Sequence, residues 1–370
     1  MRTTRLRVTL REVEPLVIRV LDVPADAFLP EVHDLLQAAL GWTDSHLHQF
    51  VFDGVCYGIA GTDGPEDERD EAGVRLRALP SSFCYLYDFG DGREHDIELL
   101  GSGGAGPGCV SGEGACPPED VGGPPGYAEV LEVLGDTDHP EHEAMATWAG
   151  HSSTRFDLAA TDLLVRQMAG AVPEPVRLVL DLAADGVKLT PGGRLPRSFV
   201  RQVQEQYPAW CPLGHPAAIE DDLVPLSALH DLLRGAGLLH LGNGVLSTTR
   251  AAADDTQVIR RLRSWFGPDD GFTSVLVGET LASLATAGPG GTGELAARVF
   301  PLLGNRWVTG EGEPLVEVHV LASLNQSRAA LIGLDLIAST DGTWSAGPAV
   351  RWLLPRATAL AHLWTTMTRP

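Results

Sequence analysis

The stretch SSFCYLYDFGDGREHDIELL, residues 81–100, constrains the fold more than any other part of the chain. Aromatic side chains at Phe83, Tyr85, Tyr87 and Phe89 recur at every second position, which puts them on one face of an extended strand and Cys84, Leu86 and Asp88 on the other. A helix would scatter those rings around its surface, so the period demands a sheet with one apolar side. Gly-Asp-Gly-Arg reads as a four-residue turn, which predicts a hairpin with Phe89 opposite Glu94 and Asp88 opposite His95. In that register the Asp88 carboxylate and the His95 imidazole are cross-strand neighbours.

The same period runs upstream. Leu6, Val8 and Leu10 alternate with Arg5, Arg7, Thr9 and Arg11, and LVIRVLDV supplies a hairpin partner across Glu14-Pro15. Between them and the aromatic strand, Phe28, Val32, Leu35, Leu36, Ala39 and Leu40 form a helical stripe with Asp26 as N-cap and Gly41 as stop. HLHQFVFDGVCYG then returns to strand spacing and turns at Asp53-Gly54. The acid-rich segment 61–73 lacks apolar periodicity and reads as a solvated loop. After the aromatic hairpin a run rich in Gly and Pro, 101–127, predicts irregular backbone, followed by short helices that close a domain over residues 1–160.

Past Pro173-Glu174-Pro175 the pattern becomes helical. VPLSALHDLLRGAGLLHLGNGVLSTTRA predicts a helix ending at Gly235 or Gly237 and a hairpin at Asn243-Gly244, an order that resembles a winged-helix module within residues 175–265. Residues 266–370 predict an α+β or helical extension, with a strand at VEVHVLA and a closing amphipathic helix, VRWLLPRATALAHLWTTM. No repeat of fixed period is visible in the sequence. The fold class expected is α+β: a compact antiparallel-sheet domain with packed helices, then a mainly helical region.

Charge narrows the partners. Residues 1–150 carry 9 Arg and no Lys against 28 Asp and Glu, a balance of −19, whereas the rest carries 18 basic and 21 acidic groups, a balance of −3. So acidic a first part repels phosphate backbones, and nucleic-acid binding is disfavoured there. The N-terminal residues lack the apolar core of a secretion signal, no stretch has the length and hydropathy of a membrane span, and the five cysteines fall at irregular spacing. These features predict a cytoplasmic protein with free thiols and no membrane partner.

HLHQF, YDFGDGREHDIEL, GCVSGEGACPPEDVGG with GY, and HPEH, in that order and spacing, resemble the plasmid pRiA4b ORF-three-like family, whose members also occur as passengers of insertion elements. The resemblance covers about residues 3–160 and implies a compact α+β domain; it implies no settled activity. One departure is visible, in that Arg93 stands where the family's turn usually carries Trp.

Three functional classes follow. Asp88, Asp91 and His95 are the candidate functional residues, with His95 the best placed to act as a base or ligand if Asp88 orients it. His46, His48, His95, Cys109 and Cys116 form a candidate donor set for zinc, the cofactor of a metal-dependent hydrolase. The spacing of the two cysteines is wider than in a zinc knuckle, and the His46–His48 face continues into Phe50 and Phe52, so the structural reading of these residues leads. Glu119 and Asp120 read as caps of the helix that follows. Arg260, Arg261 and Arg263 are the only clustered cations near the hairpin and would carry DNA contact in the C-terminal region. The leading expectation is a noncatalytic binding or adaptor protein whose partner is a protein or a small ligand, with no cofactor required.

Overall fold

A computed structural model of the chain describes residues 2–59, 68–149, 155–211, 216–266, 271–303 and 307–350. It divides into two compact units, the first running to Ala169 and the second beginning at Gly170.

The first unit is an eight-stranded sheet with helices packed on it. Its elements are β1 (Thr3–Leu10), β2 (Val17–Pro24), α1 (Leu29–Leu40), β3 (His48–Phe52), β4 (Val55–Gly58), β5 (Arg69–Asp70), β6 (Ser82–Tyr87), β7 (Arg93–Ser102), β8 (Gly108–Glu113), α2 (Gly123–Gly135), α3 (His142–Ala149) and α4 (Leu158–Ala169). The sheet order is β5-β4-β3-β6-β7-β1-β2-β8, and every pairing except β4 with β5 is antiparallel. The alternation read from the sequence sets its inner face: Leu6, Val8 and Leu10 of β1, Leu21 and Val23 of β2, Phe83, Tyr85 and Tyr87 of β6 and Ile97 of β7 are all buried. The stripe of α1 buries Leu29, Val32, Leu35 and Leu36, each such side chain contributing roughly 1.5–3 kcal/mol. α4 packs on α1 and β8, which carries the unit past residue 160.

Local details differ from the sequence reading where a tertiary partner competes. Asp26 does not cap α1. It pairs with Arg75 and Arg77, and the helix begins at Phe28, whose N–H donates to Glu31 Oε2 at 2.8 Å. Gly41 does end the helix, in a left-handed conformation (φ 86°), with its N–H on Gln37 O.

The second unit contains α5 (Glu174–Ala183), β9 (Val187–Lys188), α6 (Arg197–Gln206), α7 (Val224–Gly235), β10 (Leu239–Gly242), β11 (Val245–Thr248), α8 (Asp255–Trp265), α9 (Phe272–Ala287), β12 (Gly290–Gly291), α10 (Thr292–Leu303), α11 (Glu317–Gly333), β13 (Ile337–Thr340) and β14 (Thr343–Ala346). VEVHVLA is therefore the start of α11 and not a strand. Its alternating valines mimic a strand, yet Val316 and Val318 are exposed, and the core of the helix is set by Val320, Leu324 and Leu331. The expected closing helix falls almost wholly on residues 351–370, outside the described ones.

Residues 174–248 and 272–346 repeat one plan of helix, short strand, helix, helix and hairpin. In each copy the short strand pairs with the second strand of the hairpin. The third helix and hairpin match at a step of 98 residues: Leu238 N–H donates to Leu233 O and Leu336 N–H to Leu331 O, both at 2.9 Å, and Thr249 N–H to Leu238 O matches Gly347 N–H to Leu336 O. The left-handed residues Gly237, Asn243 and Gly244 recur as Asp335, Asp341 and Gly342. Buried Leu238 and Leu246 recur as Leu336 and Trp344. The sequence hides this repeat because apolar character and turn type are kept while identity is not. The third helices α7 and α11 pack on each other, so closely that a Cβ on Gly333 would stand 2.9 Å from Pro225 O.

Candidate functional site

Three loops of the first unit meet at one end of the sheet: 41–47 after α1, the β6–β7 turn, and 114–122 before α2. The turn is wider than its sequence suggests. Asp88 takes a left-handed conformation (φ 57°) and leaves the ladder, Gly92 N–H donates to Asp88 O at 2.8 Å, and Tyr87 pairs with Arg93. This shifts the register, so that His95 lies opposite Tyr85 and not opposite Asp88.

Arg93 holds the three loops together. Its buried guanidinium stacks over Trp42 at 4.8 Å and donates to Asp91 Oδ2 (3.0 Å), Pro117 O (3.3 Å) and Pro118 O (2.6 Å). Trp42 stacks on Tyr87 at 4.9 Å and donates Nε1–H to Pro117 O. Tyr87 donates its hydroxyl proton to Glu119 and accepts from Ser45 N–H, while Glu119 also accepts from Thr43 N–H at 3.1 Å. Glu119 therefore ties two loops together, whereas the N-cap of α2 is Gly122. Burial acts to raise the Asp91 pKa, but the Arg93 guanidinium and the N–H groups of Gly122 and Gly123 outweigh it and hold the carboxyl below its usual range. Gly123 must be glycine, since its φ is +70° and a Cβ would lie 2.9 Å from Asp91 O.

His95 is a core residue. It is wholly buried, its Nδ1 lies 3.1 Å from Tyr85 O, and Trp42 packs edge-on at 5.3 Å. Burial, reinforced by the charge of Arg93, overcomes that hydrogen bond and pushes the imidazole down to about 4. It is therefore neutral at pH 7, with Nδ1–H donating to the carbonyl.

The five expected metal donors do not form one cluster. His46 precedes β3 and approaches Asp88 and Asp120. His48 is buried and rests its Nε2 against both oxygens of Glu71 at 3.1 Å. Glu71 comes from the acid-rich segment, described from residue 68, and is only 3% exposed, whereas Arg69, Asp70, Ala72 and Gly73 around it are exposed, so among the described residues a single acid of that stretch turns inward. Cys109 and Cys116 are buried free thiols, pushed by burial up to about 11 and about 12, and neither belongs to a donor group among the described residues.

Two groupings of at least three donors exist there: His33, Asp44 and His48, and His46, Asp88 and Asp120. In the first, the imidazoles of His33 and His48 stack at 3.5 Å with an interplanar angle of 12°. Their lone pairs lie in parallel planes, so an ion in the plane of one ring is far out of the plane of the other. Three of the four ring nitrogens are already committed, both of His33 to Tyr85 Oη and Asp44 Oδ1 at 2.8 Å each and Nε2 of His48 to Glu71, while His48 Nδ1 is buried without a hydrogen bond. That grouping is a buried hydrogen-bond network. His33, a polar residue on the core-facing side of α1, and Glu71, an acid just after β5, could not be recognised as site residues without the register.

Arg260, Arg261 and Arg263 lie on α8 and are all half-buried, and Arg261 donates to Ala236 O and Gly237 O at the end of α7. No helix among the described residues is long and apolar enough to cross a membrane.

The profile of the family described as plasmid pRiA4b ORF-3-like protein matches residues 2–164. Over 169 residues, 43% of this chain and 85% of the relative, the chain is 44% identical to the uncharacterized protein y4hQ of Sinorhizobium fredii (strain NBRC 101917 / NGR234). It is also similar, at 28% identity and a TM-score of 0.37, to a crystal structure of MM3350, a protein of unknown function from Methanosarcina mazei Go1, over 43% of this chain and 96% of that one.

Proposed function

The chain belongs to the plasmid pRiA4b ORF-3-like family, and from that premise we propose that it is a noncatalytic adaptor of the cytoplasm that receives a protein partner on its second unit. The reading rests on the two repeated modules, taken as winged-helix-like. Their hairpin tips, Asn243-Gly244-Val245 and Asp341-Gly342-Thr343, are exposed, and neither hairpin carries a Lys or Arg. The third helices, which a DNA-binding module of this kind lays in the major groove, are spent on each other. Hairpin tips without a cation, one of them bearing Asp341, suit a protein surface better than a phosphate backbone. In the first unit, the enclosed neutral His95 and the protonated cysteines favour architecture over turnover.

A photo-crosslinking residue placed at Asn243 or at Asp341 in cells is expected to capture the same protein, and Val245→Asp to abolish capture at the first tip. Capture no greater than from exposed Glu205 on α6 would defeat the reading. Duplex DNA binding that persists at about 0.15 M salt and vanishes when Arg260, Arg261 and Arg263 become Ala would replace it with an accessory role on DNA.

A further inference from the structure

The second donor grouping behaves unlike the first. His46 Nε2 stands 3.0 Å from Asp120 Oδ1 and 3.6 Å from Asp88 Oδ2, yet it is buried and makes no hydrogen bond. The Asp88 side chain is 7% exposed. Its Oδ1 accepts Asp91 N–H at 3.2 Å, and its Oδ2 accepts no hydrogen bond, having only Arg93 Nε at 3.8 Å besides the histidine. The three donor atoms are thus close to one another and misaligned for bonding among themselves.

Donors about 2.0–2.2 Å from one ion stand roughly 3–3.6 Å apart at tetrahedral or octahedral angles, which matches the distance from His46 Nε2 to each carboxylate, and all three donor atoms lie within 4.8 Å of one another. Each donor comes from a different loop, and Asp88 and Asp120 are both held at positive φ, 57° and 58°. Asp88, Asp91, Glu119 and Asp120 crowd here against the single guanidinium of Arg93, so a divalent cation would relieve the excess of negative charge. An imidazole nitrogen with two carboxylates suits zinc or another first-row divalent ion; calcium and magnesium prefer oxygen alone.

We propose that His46 Nε2, Asp88 Oδ2 and Asp120 Oδ1 bind a divalent first-row transition-metal ion, zinc foremost, in a three-ligand site whose remaining positions open to solvent through the 75%-exposed Asp120. The proposal is independent of the adaptor reading, because the hairpin tips belong to the second unit. It includes no reaction step.

The test is titration calorimetry of the chelator-treated full chain with zinc chloride, paired with absorption spectra of the cobalt form. One ion per chain is expected, with Asp120→Ala weakening binding by at least about tenfold, His46→Gln removing it, and exposed Asp53→Ala leaving it unchanged. Asp120 is a surface residue, so its variant is expected to fold, and far-ultraviolet circular dichroism checks this. No binding by the wild type, or binding that Asp120→Ala and His46→Gln leave intact, overturns the proposal. Binding lost only in His33→Gln or Cys116→Ala assigns the ion elsewhere and overturns it equally.

Discussion

The two units bury different kinds of side chain. Among the described residues the first unit buries nine acidic, guanidinium or imidazole side chains (Arg19, Asp22, His33, Asp34, His48, Glu71, Asp88, Arg93 and His95), and the second buries two, Glu220 and His230, which bond each other at 2.8 Å. The first unit uses these polar side chains to fasten irregular loops, since backbone without a ladder needs side-chain partners. The second fastens itself with Leu, Val and Trp on a plan used twice, where apolar shape suffices. The first should therefore respond to pH and to loss of single polar partners, and the second should respond mainly to volume.

The largest effect expected is that of Glu71→Ala. It leaves His48 Nε2 without a partner in a buried site, which should cost about 4 kcal/mol, while Glu71→Gln recovers much of it. Hydrogen exchange read by mass spectrometry should quicken across β3, β6 and α1 and stay unchanged in α7 and α11. A cost below about 1 kcal/mol would mean that the buried network of the first unit is ornamental, and the contrast would fail.

Acid should act next. The His95 imidazole is depressed in the fold, so the unfolded chain binds its proton first. The stability this gives is complete above the unfolded value near 6.5 and is lost as pH falls toward about 4. The loss amounts to about 3 kcal/mol. Denaturant melts at pH 7.5 and 4.5 should show it in the wild type, and His95→Gln should flatten the difference. A His95→Gln slope equal to that of the wild type would assign the acid response to other groups.

The contrast also explains what could be read from the sequence. Period-two patterning placed β1, β2, β3 and β6, and Asp53-Gly54 and Asn243-Gly244 placed two hairpins, because both signals are local and each has one structural solution. The partnership of Asp88 with His95 failed because it depended on turn length, and a left-handed Asp88 lengthened the turn. Glu71, Glu119 and Arg93 were invisible as site builders since their partners lie 23, 76 and 24 residues away. The expected donors His46 and His48 belong to different groups. In the second unit the 98-residue repeat escaped because hydrogen bonds, turn type and apolar character recur while residue identity mostly does not.

The smallest effect runs in the opposite direction and lies in the second unit. Asp335 and Gly237 hold equivalent positions, with φ of 60° and 65°, but only the first copy avoids a charge there. Burial, and then the nearby Glu174, push the Asp335 carboxyl up to about 6. Its folded form therefore keeps a proton that the unfolded chain releases near 3.9. The linked stability is complete below that value and is lost as pH rises through about 6, the reverse of His95. Asn keeps the left-handed backbone without the charge. Asp335→Asn should thus stabilise the second unit at pH 7.5 by under about 1 kcal/mol after solvent screening, and do nothing at pH 3.5. Hydrogen exchange in α11 and β13 reads the change locally. Equal protection of wild type and variant at both pH values would show that the repeat tolerates charge at its left-handed corner, and that the two units differ in what they bury but not in how they answer to protons.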